Sequence, residues 1–308
     1  MSFNSPILFL IFNRPDTTAR VFDTIRKIKP PKLFVAADGP RSDIESDKCR
    51  LTRKLVLENI DWECEVFTLL RDSNLGCGRA VSEAITWFFN HVDEGIIIED
   101  DCLPSLSFYQ FCEEMLVKYR TNNRIMIISG TNPVESKNKI EDSYFFTSKA
   151  GIWGWATWKR AWNVYDVNIP EWLDEGIKRQ FRDSFYFDRE YGELFEGLNL
   201  VTNRKIDTWD YQWAFYRVVN DGLGIVPNCN LISNLGFGLD STHTEDSNSR
   251  LSNLPLDDLI FPLRHPKLIL SNETYNKALN EFYFPQLERS PSWFLTMKNF
   301  IKKIEIWK

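Results

Sequence analysis

Apolar and polar positions in the first 130 residues switch between two periods. Ile7 to Phe12 is a continuous apolar run that stops at Asn13-Arg14-Pro15, and from there Val21, Phe22, Ile25 and Ile28 recur at helical spacing. Proline suits the first turn of a helix, where its missing N–H costs nothing. The same rhythm returns with Lys32 to Ala37, ended by Asp38-Gly39-Pro40 and followed by a helix around Leu51, Leu55 and Ile60. Cys64 to Leu70 precedes a helix carrying Ala80, Ala84, Trp87 and Phe88; Gly95 to Ile98 precedes one that Ser105 caps and that runs through Tyr119. Arg124 to Ser129 adds a fifth strand. Short apolar runs separated by helices predict an α/β fold with a mainly parallel central sheet covered on both faces.

Past Gly130 the rhythm fades. Aromatic and polar residues mix until Trp209 to Val219, which reads as a helix, and Gly224 to Ile232, which reads as one strand; Asp240 to Asp257 is poor in apolar residues. In GIWGWATWKRAW, from Gly151 to Trp162, the rings of Trp155, Trp158 and Trp162 keep helical spacing, which assigns at least two of them to a core stripe. Trp153 is then the ring left to meet a ligand.

Composition narrows the function classes. The chain has 308 residues, enough for one large domain or a domain with an appendage. Its 37 Lys and Arg against 43 Asp and Glu argue against nucleic acid as the main partner. Six cysteines without a CxxC pair fit reduced thiols better than a disulfide frame or a zinc site. No apolar run reaches spanning length and the first residues lack a basic leader, so the expectation is a soluble, cytoplasmic protein. Aromatic residues make up 14% of the chain, a share that serves a packed core or sugar-stacking walls.

In an open α/β sheet, ligands gather beyond the carboxyl ends of the strands. Those ends carry Asn13 and Arg14, Asp38, Arg71 and Asp72, the triplet Glu99-Asp100-Asp101, and Ser129 with Gly130. The triplet follows the buried run GIII, so its mutual repulsion needs relief, from a divalent cation bridging a nucleoside diphosphate or from water around an ordinary turn. SNLGCGRA, from Ser73 to Ala80, would bring backbone and Arg79 to an anion at a helix N-terminus, or its glycines only shape the turn. In DTWDYQWAFYRV, Asp210 opens a helix between bulky rings. It is a general base or a helix-cap carboxylate. His243, in NLGFGLDSTHTED, is a metal or phosphate ligand or a surface histidine.

Together these residues resemble a GT-A (Rossmann-like) glycosyltransferase, whose Asp-x-Asp motif closes a central strand and holds a metal on the donor diphosphate; Glu99-Asp100-Asp101 takes that place. IIIEDDCLPSLSFYQF is similar to the acidic triplet, proline and aromatic helix of the N-acetylglucosaminyltransferase I family, and Trp209-Asp210 matches its Trp-Asp base pair. The FNRP and AADGP segments resemble its nucleotide-recognition loops. The whole chain looks closer to a bacterial family-two-like glycosyltransferase group through GIWGWATW and NLGFGLDSTHT, over about Pro6 to His243. One departure matters: Tyr211-Gln212-Trp213 stands where the eukaryotic family has a second acid, so acceptor contacts do not carry over.

The resemblance implies a glycosyltransferase domain over residues 1–245, with a nucleotide-sugar half at 1–130 and an acceptor and catalytic half at 131–245. It implies inverting transfer from a nucleoside diphosphate sugar, a UDP-sugar above all, to a hydroxyl of a glycan or lipid-linked acceptor, with Mn²⁺ or Mg²⁺ as cofactor. Asp210 is then the base, Asp101 and His243 hold the metal, and Asn13, Arg14, Asp38, Arg79, Glu99 and Asp100 hold the donor, while Trp153 and Trp209 face the acceptor. Residues 246–308 form an extension whose end shares Phe294, Met297, Ile301 and Ile304 on one helical face with Lys298, Lys302, Lys303 and Lys308 nearby. Such a helix lies on an anionic membrane or docks on the domain. A sugar nucleotidyltransferase would share a metal site at the sheet edge but wants a basic Gly-rich opening loop; a non-catalytic carbohydrate binder would keep the rings without the carboxylates.

Overall fold

The computed structural model describes residues 3–134, 140–237 and 250–285. Strands β1 (Ile7–Ile11), β2 (Lys32–Ala37), β3 (Glu65–Leu70) and β4 (Glu94–Glu99) run parallel in the order β3-β2-β1-β4. All five residues of β1 are buried, because the sheet is covered on both sides. Ile7, Phe9 and Ile11 join Leu33, Val35, Ile96 and Ile98 under α1 (Pro15–Ile28), α2 (Asp43–Leu57) and α4 (Leu106–Tyr119). Leu8, Leu10, Phe34 and Ile97 face the other way, under α3 (Cys77–Phe89). The α/β fold with a mainly parallel sheet and helices on both faces is thus the one expected. In α2 the detail differs: Leu51 is exposed, Ile60 lies past the helix end, and the helix seats Cys49, Thr52 and Val56 instead.

The second half completes the sheet with the fifth strand expected at Arg124 to Ser129 and with strands that the pattern did not reveal. β5 (Cys102–Pro104) follows the acidic triplet; β6 (Ile125–Ser129), β7 (Tyr144–Thr147), β8 (Trp155–Trp158) and β9 (Leu223–Pro227) extend the sheet as β4-β8-β6-β9-β7. The helical reading of the tryptophans is corrected here. Trp155 and Trp158 lie on β8, which runs antiparallel to both neighbours, and only Lys159–Trp162 forms a short helix, α5. The core assignment holds, since Trp155, Trp158 and Trp162 are all buried. Gly224 to Ile232 is likewise two strands. β9 stays in the large sheet, while β10 (Ile232–Asn234) pairs with β5, the break being held by Asn230, whose side chain bonds the carbonyls of Ile232 and Pro255.

Reversal of β8 has a positional consequence. Ile97 of β4 is paired with Trp155, so the residues just before β8 arrive at the carboxyl end of β4. Gly154 makes this turn with φ of +56°, and a Cβ there would lie 2.3 Å from the Ile232 side chain. A third layer, α6 (Glu175–Asp183), α7 (Asp188–Thr202) and α8 (Asp210–Val219), packs around Trp172, Phe181, Leu198 and Phe215. α9 (Glu273–Tyr283) returns to β7, where Tyr275 meets Phe145 with ring centres 4.5 Å apart. No helix of the described residues is long and apolar enough to cross a membrane, and the basic C-terminal helix expected from the sequence lies outside the described residues.

Candidate active site

The acidic triplet meets its counter-charge within the chain. β4 ends at Glu99, and the Asp100 carboxylate, 4% exposed, accepts from the Phe12 amide at 3.0 Å, tying the ends of β1 and β4 together. Arg14, leading into α1, donates from Nη1 to Asp101 at 2.6 Å, and its Nε lies 3.8 Å from Asp100. Burial works against the Arg14 charge, but Asp100 and Asp101 outweigh it and hold its pKa above the ordinary value. Burial also pushes Glu99 up to about 8, with Asp101 and Asp100 adding to it, and Asp100 up to about 6 against the opposing pull of Arg14.

Glu99 therefore takes up a proton more readily folded than unfolded, where it titrates near 4.5. The resulting stabilisation is complete below about pH 4.5 and is lost as the pH climbs through about 8. Glu99→Gln, which never ionises, should remove that loss. Urea denaturation of metal-free protein near pH 5.5 and near pH 8.5 checks it: the variant should gain on the parent with rising pH, and a gap that stays constant counts against the buried-acid account.

Around the triplet lies a cleft of about 340 Å³ at the carboxyl edge of the sheet. One wall comes from β2 and β3. Asp38 lines it, yet its oxygens accept the amides of Gly39, Leu75 and Gly76, so the carboxylate pins the loop before α3. Arg41 and Arg71 stand beside it; Arg41 is held by Glu45 and stacks 5.3 Å over the Phe12 ring, and Arg71 reaches Glu83. The Gly-rich turn is explained by a neighbour distant in sequence. Gly76, with φ of +81°, would place a Cβ 2.1 Å from an Asp207 oxygen, and the Gly78 amide donates to Asp207 at 3.1 Å. The anion at the start of α3 is thus the chain's own carboxylate.

The opposite wall comes from the second half. Trp153, half-buried, packs edge-on to Phe237 at 5.8 Å; Gly236 lies so close to Asp101 that a Cβ would stand 2.2 Å from its carboxylate. Trp209 lines the cleft but is only 3% exposed, stacked on Trp155 at 5.7 Å and 17°. Asp210 follows it as the first residue of α8. Its Oδ1 accepts from the Thr208 hydroxyl and, at 2.9 Å, from the Tyr211 amide, and its charge adds to the field that raises Glu99.

Arg14, Asp38, Glu99, Asp100, Asp101, Trp153, Trp209 and Asp210 are therefore brought to one cleft. Two expected donor residues are not. Asn13 bonds Glu45, and Arg79 is exposed beside Glu83, because α3 turns it outward. His243 lies outside the described residues. Arg41 and Asp207 were not among the expected site residues; an arginine directly after the strand-end Asp38-Gly39-Pro40 was the available signal for the first.

The donor set suits a hard cation in part. Six carboxylates and three guanidinium groups line the cleft, leaving surplus negative charge after Arg14 is paired. Among the described residues, however, no three acidic, His or Cys side chains converge as metal ligands. An ion here would take Asp101 together with phosphate oxygens and water.

No protein-family profile matches the chain, and no curated protein matches its sequence. Among solved structures it is similar to mouse xyloside xylosyltransferase 1 in its apo form, at 10% identity and a TM-score of 0.34, over 70% of this chain and 81% of that one. It is similar to HddC from Yersinia pseudotuberculosis at 10% identity and a TM-score of 0.31, over 52% and 80%. It is also similar to a 4-diphosphocytidyl-2C-methyl-D-erythritol synthase from Anaerococcus prevotii at 11% identity and a TM-score of 0.31, over 63% and 84%. Likeness this faint carries no argument about the reaction.

Proposed function

We propose that the chain is a glycosyltransferase that moves a sugar, with inversion, from a nucleoside diphosphate sugar, with UDP as the favoured carrier, to a hydroxyl of a glycan or lipid-linked acceptor. The observation that carries this reading is the meeting of the acidic triplet and Asp210 in one cleft with three guanidinium groups. Arg41 and Arg71 hold the donor diphosphate from the β2–β3 side. Arg14 keeps Asp101 and Asp100 in place, and Glu99 orients donor hydroxyls. Mn²⁺ or Mg²⁺ held by Asp101, with His243 as a further proposed ligand, would supply charge neutralisation on the leaving diphosphate. Asp210 takes the acceptor proton as its oxygen attacks, and the Trp153 ring stands against the acceptor sugar. We place the enzyme in the cytoplasm, with residues after Pro291 as a peripheral membrane contact.

A screen of nucleotide sugars with and without Mn²⁺ tests the reading by thermal stabilisation and by donor hydrolysis. A donor present at about a hundred times its Kd stabilises by about 2.7 kcal/mol, a shift of several degrees. Asp101→Asn should lose the Mn²⁺-dependent part. If no nucleotide sugar produces either signal in the parent protein, the proposal fails.

A further inference from the structure

A second cavity, of about 240 Å³, shares no lining residue with the first. Its walls come from α7, α8, α9 and the segment between β7 and β8. Facing it is Arg217 of α8, 7% exposed. Its Nε and Nη1 are buried without a hydrogen-bond partner, and among the described residues no carboxylate pairs with it. Burial draws its pKa down to about 10 with no neighbouring charge opposing the shift, so the guanidinium is still protonated at neutral pH.

A buried cation left unpaired is costly, and buried polar groups are otherwise nearly always satisfied. Of the acids lining the cavity, Glu190 and Glu273 are engaged elsewhere, and the exposed Asp221 makes no ion pair with Arg217. Glu190 holds the Lys149 ammonium at 2.5 Å, and Glu273 accepts from the Asn276 amide at 3.2 Å. Asn280 also lines the cavity, and its Oδ1 is buried without a partner. Since the two ends of an amide interchange by a flip, Asn280 has a donor to offer as well. Phe187 and Tyr275 add ring surface.

We propose that this cavity is a second binding site, for an oxyanion, a phosphate or a carboxylate carried on a small organic body. Arg217 is its anchor, the Asn280 amide its second donor, and the rings hold the body. A planar guanidinium pairs with two oxygens of one such group, and the described residues supply none. Arg217 comes seven residues after Asp210, about 10 Å along α8, so the occupant would sit near the acceptor. The site nevertheless stands whether or not the first cleft transfers sugar.

The test uses the full chain in chloride buffer, titrated with inorganic phosphate and with glucuronate at matched ionic strength, read by calorimetry and thermal shift. At least one probe should bind, and Arg217→Met should weaken it tenfold or more. Arg217→Met removes an unpaired charge and should fold at least as well as the parent. Arg217→Lys and Ala214→Leu, the second narrowing the cavity, should each weaken the same probe and serve if the Met variant is insoluble. A response to phosphate alone assigns a phosphorylated ligand; a response to glucuronate alone assigns an acidic sugar or similar carboxylate. Arg41 and Arg71, proposed to hold phosphate in the donor cleft, are untouched in the Arg217 variants, so loss of binding in those variants separates this site from that cleft. No binding above chloride, or equal binding in parent and Arg217 variants, overturns the proposal.

Discussion

Asp210→Asn is expected to lower sugar transfer by about 100- to 10,000-fold while leaving donor affinity within about twofold. The amide keeps the shape of the acid, and its Oδ1 still accepts from the Thr208 hydroxyl and the Tyr211 amide, so the start of α8 is preserved. What disappears is the oxygen able to take a proton. Arg41 and Arg71 on the far wall, the groups proposed to hold the donor, are untouched by the change. Single-turnover transfer and calorimetric donor binding separate the two quantities. Unimpaired transfer removes Asp210 from the base role, and joint loss of transfer and donor binding marks it as a structural cap instead. Asp207→Asn is the contrasting variant: it weakens the contact to the Gly78 amide and so should raise the donor KM more than it lowers kcat.

The difference between Asp210 and Asp207 shows where sequence reading succeeds and where it stops. Asp210 was legible because its neighbours in the chain, Trp209 and the helix after it, set its position. Asp207 was not, because the glycines it meets lie 129 residues earlier, at Gly78 and nearby. The parallel half of the sheet was legible for a similar local reason: each strand there is a short apolar run bounded by turn residues and followed by its own helix. The antiparallel insertion was not. A strand buried on both faces loses its alternation, so Trp155, Trp158 and Trp162 could satisfy a helical period by chance while two of them sat on β8. The triplet's position at the strand end was readable, but its pairing with Arg14 was not, because no pattern records that β1 and β4 are neighbours.

Trp155→Ala should cost about 3–5 kcal/mol, the usual range for truncating a buried large ring, and lower the melting temperature by roughly 10 °C. Trp155 sits on β8, whose backbone joins β4 to β6, and it is 1% exposed among Trp162, Trp209 and Trp213. The resulting void borders three rings anchored on two other elements, which cannot close in without moving β8 or α8. Trp155→Phe should cost much less than its lost volume suggests. The indole Nε1 is buried without a hydrogen-bond partner, and removing it returns a desolvation penalty of about 1–3 kcal/mol. Function should follow the same path, since Trp209 loses the ring it stacks on and Asp210 is the next residue. At a temperature where the Ala variant is still folded, transfer should fall further than donor binding, because β4 keeps its pairing with β1 and hence the position of the triplet. Differential scanning calorimetry with parallel donor titration decides the matter. An Ala variant that melts within about 2 °C of the parent would mean that the ring cluster does not hold the two halves of the cleft in register.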